Sequence, residues 1–273
     1  ALRMQARFIS LGGEIHTGVS AEKLILDGQK AVRLRLSTGE EAQGDYFLCA
    51  CDPDFTFRHL LDESFMDPLL AEVYAKPADY PIYGMLQAAY AVDSPVDVMQ
   101  GEHILDCGSL CEFPWLGDRL TVKTYGYEPD FAPSGKQIVQ FLWGLDQSAF
   151  PYWEALYQDK ALYQSKKEEL AAKAQGLIEE RFPAYKGKMR LLDVWTPMTY
   201  RRWCNAYKGY NQAYTITKRS RENAYVPAAI KGLDNVLLSG QWLAAPGGLP
   251  GAAIQGKFSV QRICKKENLS IKL

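Results

Sequence analysis

Apolar and polar positions follow two different rhythms along the chain, and the change of rhythm divides it into segments. Leu2–Ser10 (LRMQARFIS) has helical spacing and runs into Gly12-Gly13, a helix C-terminus signal. Glu14–Thr17, Ala21–Leu26, Ala31–Leu36 and Asp45–Ala50 read as strands, with Asp27-Gly28 and Thr38-Gly39 as turns between them. Asp52-Pro53 closes this unit, and Phe55–Leu61 returns to helical spacing. Between Tyr83 and Leu145 the period is near two. There MLQAAYAV, RLTVKTYGY and KQIVQFLWGL predict neighbouring strands of an antiparallel sheet. Tyr152–Phe182, rich in Ala, Glu, Lys and Leu, predicts one long helix or two, stopped before Pro183. Leu191–Trp195 is again a strand, broken at Thr196-Pro197.

Near the end, Asn235–Gly240 (NVLLSG) predicts a short buried strand, and Ala253, Ile254, Phe258, Val260 and Ile263 fall close to helical spacing. Between them, SGQWLAAPGGLPGAAIQGK from Ser239 carries five glycines and two prolines. A strand, a glycine-rich turn and a helix point free backbone N–H groups and the positive end of a helix dipole at one spot. That suits an anionic or electron-rich ligand. A tight turn without a ligand fits the same pattern.

Composition narrows the class. A chain of 273 residues can bury one large core or two modest ones. With 31 basic and 32 acidic residues, nothing advertises nucleic acid or an anionic membrane. No stretch approaches the ~18 apolar residues of a spanning helix, and Ala1–Ser10 lacks the apolar run of a secretory signal. Six cysteines are too few for a disulfide scaffold, so a reducing, cytoplasmic setting is expected. Cys49-x-Cys51 and Cys107-x-x-x-Cys111 lack zinc-knuckle spacing and read as buried thiols, while His16, His59 and His103 are scattered; no metal site is assigned. The chain holds no G-x-S-x-G, H-E-x-x-H, P-loop or G-x-G-x-x-G. Thr196–Tyr214 (TPMTYRRWCNAYKGYNQAY) gathers four tyrosines and a tryptophan. It is either an aromatic loop packed on the sheet or a cavity wall facing a flat cofactor or an extended apolar substrate.

Three segments together resemble the phytoene desaturase-like family of FAD-dependent oxidoreductases, which includes carotenoid desaturases, carotenoid isomerases and retinol saturases. They are Gly12–Leu61, which ends in Asp52-Pro53, then Thr196–Tyr214, and GQWLAAPGGLPGAAIQGK, which resembles the C-terminal flavin-binding turn and helix. The resemblance implies an α+β (mixed α/β) fold. Residues 1–62 and 230–273 would form part of an FAD-binding domain, and 63–229 a substrate-binding domain with a largely antiparallel sheet and helices. It implies cofactor contacts at Ala21 (through its backbone, at the adenine end), Asp52, Gly240, Gly247, Gly248, Leu249, Pro250, Gly251 and Ala252. Tyr200, Trp203, Tyr207 and Tyr210 are the expected substrate-binding positions, and no catalytic residue is assigned.

The implied activity is hydride transfer to flavin, or flavin-assisted isomerisation, on a hydrophobic polyene-like substrate. An amine-oxidase-like flavoenzyme and a non-catalytic module for a hydrophobic ligand or partner are the alternatives. Family members open with a G-x-G-x-x-G turn that grips the pyrophosphate. Its absence makes the sequence read as the C-terminal portion of a longer enzyme, expected to be inactive and to bind FAD weakly or not at all on its own. This reading leaves room for a peripheral membrane contact and for a homo-oligomer.

Overall fold

The computed structural model describes residues 2–93, 96, 101–108, 112–128, 130–222 and 224–270. Helix α1 (Leu2–Ser10) stops where the N–H groups of Gly12 and Gly13 turn back to the carbonyls of Ile9 and Phe8. The expected strand Glu14–Thr17 does not form: all four residues are exposed, and among the described residues no strand pairs with them. β1 (Ala21–Asp27), β2 (Lys30–Leu36) and β3 (Glu41–Gln43) make a three-stranded antiparallel sheet. β4 is shorter than its sequence pattern, only Phe47–Cys49, and is followed by α2 (Pro53–Phe55), which widens into a π-turn over Thr56–Leu60. α3 spans Pro68–Ala75.

The period-two region forms one antiparallel sheet in the order β6 (Glu102–Asp106), β7 (Leu116–Thr124), β8 (Gln137–Asp146), β5 (Tyr83–Val92), β9 (Met189–Trp195). Alternation decides its faces. Leu86, Ala88, Tyr90, Val139, Phe141 and Trp143 point to one side, where α4 (Ala149–Tyr157) and α5 (Lys160–Arg181) cover them with Trp153, Leu170, Ala174 and Ile178. Residues 152–182 are thus two helices, separated at Asp159, whose carboxylate caps α5 by accepting from the Ala161 and Leu162 N–H groups.

A second core joins the two ends of the chain. β10 (Val236–Leu238) pairs in parallel with β4, Val236 opposite Phe47. Leu24, Phe57, Leu60, Val236, Leu238 and Leu243 pack together there with residues from 69–82 and 206–233, among them Val73, Tyr80 and Tyr214. Asn235 locks this junction. Its side chain accepts from the Ala31 N–H at 2.9 Å and donates to the carbonyls of Ala31 and Asp45 at 2.8 and 2.9 Å. Asn235→Ala strands two buried main-chain groups of Ala31 and one part-buried carbonyl of Asp45. A loss of about 2–3 kcal/mol is therefore expected in chemical denaturation, seen as a lower midpoint at unchanged slope.

Candidate functional site

The site begins where β10 ends. Gly240 (φ +94°) turns the chain into a short 3-10 turn over Gln241–Leu243, in which Trp242 and Leu243 are buried. Gly247 (φ +85°) and Gly248 (φ +96°) then lead into α7 (Leu249–Lys266). A Cβ on Gly247 would lie 2.9 Å from the Gln241 carbonyl oxygen and 3.1 Å from the Ala213 nitrogen. Only glycine therefore permits this close approach of two backbones. Stitching fixes the turn: the Gly248 N–H donates to Gln241 Oε1 (3.0 Å), and the Gln241 amide donates to the Asn211 carbonyl (3.3 Å). The Ala213 N–H donates to the Pro246 carbonyl (3.1 Å).

The first turn of α7 has no capping side chain and no acidic residue. A Cβ on Gly251 would meet nothing within 4 Å. Leu249 is 87 % exposed, Pro250 is exposed, and Ala252 is half-buried. An uncapped helix N-terminus beneath open space fits a flat ring carrying negative charge at its edge, as a flavin does when reduced. The residues that would hold it are Gly247–Ala252.

Asp52 lies in the interior, where its carboxyl oxygens bond to the chain's own main-chain N–H groups. It is 0 % exposed. Its Oδ1 accepts from the Asp54 N–H at 2.8 Å, which caps α2, and its Oδ2 accepts from the Tyr207 N–H at 2.9 Å. Tyr210, itself buried, turns its hydroxyl toward the same carboxyl and stacks edge-on against Trp242 with ring centroids 5.2 Å apart. Tyr207 meets Tyr74 at 4.5 Å and Tyr210 at 5.9 Å. Burial pushes the Asp52 carboxyl up to about 7, partly opposed by the main-chain hydrogen bonds that favour its charged form. Burial likewise holds Tyr74 and Tyr210 well above the usual phenol range.

The sign of this shift gives a pH prediction. A carboxyl that holds its proton more tightly folded than unfolded stabilises the fold at low pH. That contribution is lost as pH rises from about 4 to about 7. The difference in unfolding free energy between wild type and Asp52→Asn is expected to change by roughly 2–4 kcal/mol over this window and to be flat above it. Parallel urea titrations at a series of pH values measure it.

The other expected positions scatter. Ala21 is half-buried at the start of β1, against the second core. α6 (Pro197–Cys204) carries Tyr200, packed partly buried on that core, and Trp203, which is 73 % exposed under the Arg202 guanidinium. Of the four predicted wall aromatics, the structure brings only Tyr207 and Tyr210 together, with Asp52, Tyr74 and Trp242. Tyr207 borders a cleft of about 640 Å³ whose walls include Asp54, Arg58, Glu154, Arg201 and Lys208. Gln241 and Trp242 stand inside the glycine-rich segment, and sequence reasoning misses their roles; their position directly after Gly240 is the available signal. Tyr74 lies outside every segment that carries a motif.

Cys49 is buried, with its thiol pushed up to about 12, and Cys51 lies 3.2 Å from the Thr56 hydroxyl. Cys111 lies outside the described residues. Among the described residues no three His, Cys, Asp or Glu side chains are placed to hold a metal, and no helix is long and apolar enough to cross a membrane.

Comparison with known proteins agrees with this geometry. The chain is 28 % identical over 211 residues to the chloroplastic prolycopene isomerase of Arabidopsis thaliana, covering 74 % of this chain and 33 % of that protein. An oxidoreductase from Methanosarcina mazei superposes on 95 % of the chain with a TM-score of 0.55 at 14 % identity. A Pyrococcus furiosus protein superposes on 99 % with a TM-score of 0.50 at 12 % identity. The chain spans about half the length of these two solved structures and a third of the isomerase. The family model of the flavin containing amine oxidoreductases matches residues 2–264. With the glycine turn set beneath an uncapped helix at the meeting of its two ends, the chain belongs to the flavin-containing amine oxidoreductase family, with the phytoene desaturase-like features its sequence carries.

Proposed function

We propose that this chain supplies the flavin-facing turn and part of the substrate chamber of an FAD-dependent oxidoreductase acting on a hydrophobic, polyene-like substrate. The observation that carries this reading is the start of α7: two left-handed glycines, no capping side chain, no acidic residue in the first turn, and open space above Gly251. A bound flavin supplies hydride acceptance and donation, which no side chain can. The chain's own residues bind and orient. The α7 N–H groups would stabilise charge at the ring edge, and the stitched segment Gln241–Gly248 would hold them in place without reorganisation.

The apolar substrate class draws support from the sheet face opposite α4 and α5. There Met85, Ala89, Ala91, Ile138 and Leu142 lie on one face with Gly144, around a polar pair in which the Gln140 amide donates to Gln87 at 3.3 Å. The apolar positions flanking this pair suit an extended hydrocarbon. The related prolycopene isomerase, named for a polyene, points to the same class. Titrating a polyene in detergent micelles against intrinsic tryptophan fluorescence tests it. Saturable quenching that a soluble amine cannot displace is the expected result. Displacement by the amine, with the polyene inert, would replace this reading with an amine oxidase.

A further inference from the structure

We propose that Asp52 is a positioning residue for the Gly247–Ala252 turn, acting at a distance through the segment 206–213. The inference rests on the reading of that turn as flavin-facing only for its functional meaning; the coupling itself is carried by geometry. Asp52 fixes the near end of the segment, through the Tyr207 N–H at 2.9 Å. The far end is fixed to the turn twice, by the Ala213 N–H on the Pro246 carbonyl and by the Asn211 carbonyl under the Gln241 amide. Midway, Tyr210 sets its ring edge-on to Trp242. Gln241 closes the circuit by accepting from the Gly248 N–H, one residue before α7. From the carboxyl to the helix N-terminus, the links between segments are hydrogen bonds and one ring contact, all but the Pro246 carbonyl belonging to buried or half-buried residues. No loose side chain intervenes.

The chemistry of the corner explains why a carboxylate stands there. Its two oxygens accept from two main-chain donors, and the Tyr210 hydroxyl lies close enough to favour the charged form. An ionised carboxyl meets both main-chain donors with a lone pair. An amide would set an N–H against one of the N–H donors. The titratable groups facing Asp52 are Cys51 beside it in sequence, Asp54 on α2, Tyr74 on α3, and Tyr207 and Tyr210 on the segment itself; none is a cation. These hydrogen bonds hold the carboxyl against the segment, so removing an acceptor oxygen frees the segment's near end.

Hydrogen–deuterium exchange on the purified full chain, at fixed pH above 8, separates positioning from bulk stability. In Asp52→Asn, peptides covering 206–213 and 241–251 are expected to exchange on the order of tenfold faster, while peptides from β5 and β8 are unchanged. A change confined to residues next to Asp52, with 241–251 unmoved, overturns the proposal. Where Asp52→Asn does not fold, Tyr210→Phe keeps the ring against Trp242 and removes only the hydroxyl. The proposal then requires faster exchange at 241–251, and an unchanged rate overturns it. Because no flavin is present, the outcome is independent of flavin binding. Coupled peptides together with FAD-induced amide shifts centred away from the start of α7 would sustain the positioning role and remove the flavin-facing reading of the turn.

Discussion

Gly209→Ala is expected to abolish folding of this chain. Gly209 sits at φ +63°, and a Cβ there would lie 2.0 Å from the Pro197 carbonyl oxygen and 2.4 and 2.6 Å from the carbon atoms behind it. Those atoms are backbone at the first turn of α6, and they have nowhere to go. Thr196 caps the helix by accepting from the Met198 N–H, its own N–H donates to Thr199, and its hydroxyl is bonded to Tyr163 at 2.6 Å. The left-handed conformation alone costs about 1–2 kcal/mol for a residue with a Cβ. The collision with backbone adds about 1–3 kcal/mol or more, which brings the total to about 5 kcal/mol at the upper end, comparable to the whole stability of a marginal domain. Loss of the cooperative thermal transition, with protein recovered as aggregate, is the expected readout. Gly176→Ala is the control. Gly176 is exposed in the middle of α5, and a Cβ added there would meet nothing within 4 Å. That change should stabilise by about 0.5–1 kcal/mol.

FAD is expected to bind this chain at least a thousandfold more weakly than it binds a flavoprotein with a complete pyrophosphate site. The α7 turn offers N–H groups to one edge of the isoalloxazine, but the 273 residues contain no G-x-G-x-x-G turn to hold the two phosphates. Such a turn contributes charge-assisted hydrogen bonds of about 1.5–3 kcal/mol each. Three of them amount to at least ~4 kcal/mol, or about a thousandfold in the dissociation constant. Flavin fluorescence, quenched on stacking against protein, follows the titration. A dissociation constant below micromolar, or a stoichiometric yellow protein, would mean that these residues hold the phosphates in a way the glycine pattern does not reveal.

Local order is the legible part of this sequence. The alternation in MLQAAYAV and KQIVQFLWGL is the ladder of β5 and β8, because one face of those strands must meet α4 and α5. The strand, turn and helix from Asn235 onward are in place, with α7 starting at Leu249, just before the Pro250 that favours a first turn. Glu14–Thr17 misleads, because an extended stretch becomes a strand only beside a partner, and alternation does not report partners. The candidate site is half legible for a related reason. The glycine turn is local and carries its own signature. The Asp52–Tyr207 bond joins residues 155 positions apart, and nothing in either neighbourhood announces the other. Asp-Pro points to a helix start, and Asp52 does cap α2; that its second oxygen reaches the aromatic segment is a property of the packed core alone. Aromatic density in Thr196–Tyr214 likewise cannot say which rings turn inward, and Tyr210 does while Trp203 does not.

The central claim is that the N-terminus of α7 faces a flavin, and a nitrogen-15 chemical-shift titration of the full chain with FAD tests it most directly, since it reads weak binding residue by residue. The predicted result is a saturable shift centred on the amides of Gly248, Leu249, Gly251 and Ala252, smaller at Trp242, and absent from β6 and β7. Shifts centred instead on the charged cleft around Arg58, Arg201 and Lys208, or no shift at any flavin concentration that can be reached, would contradict it.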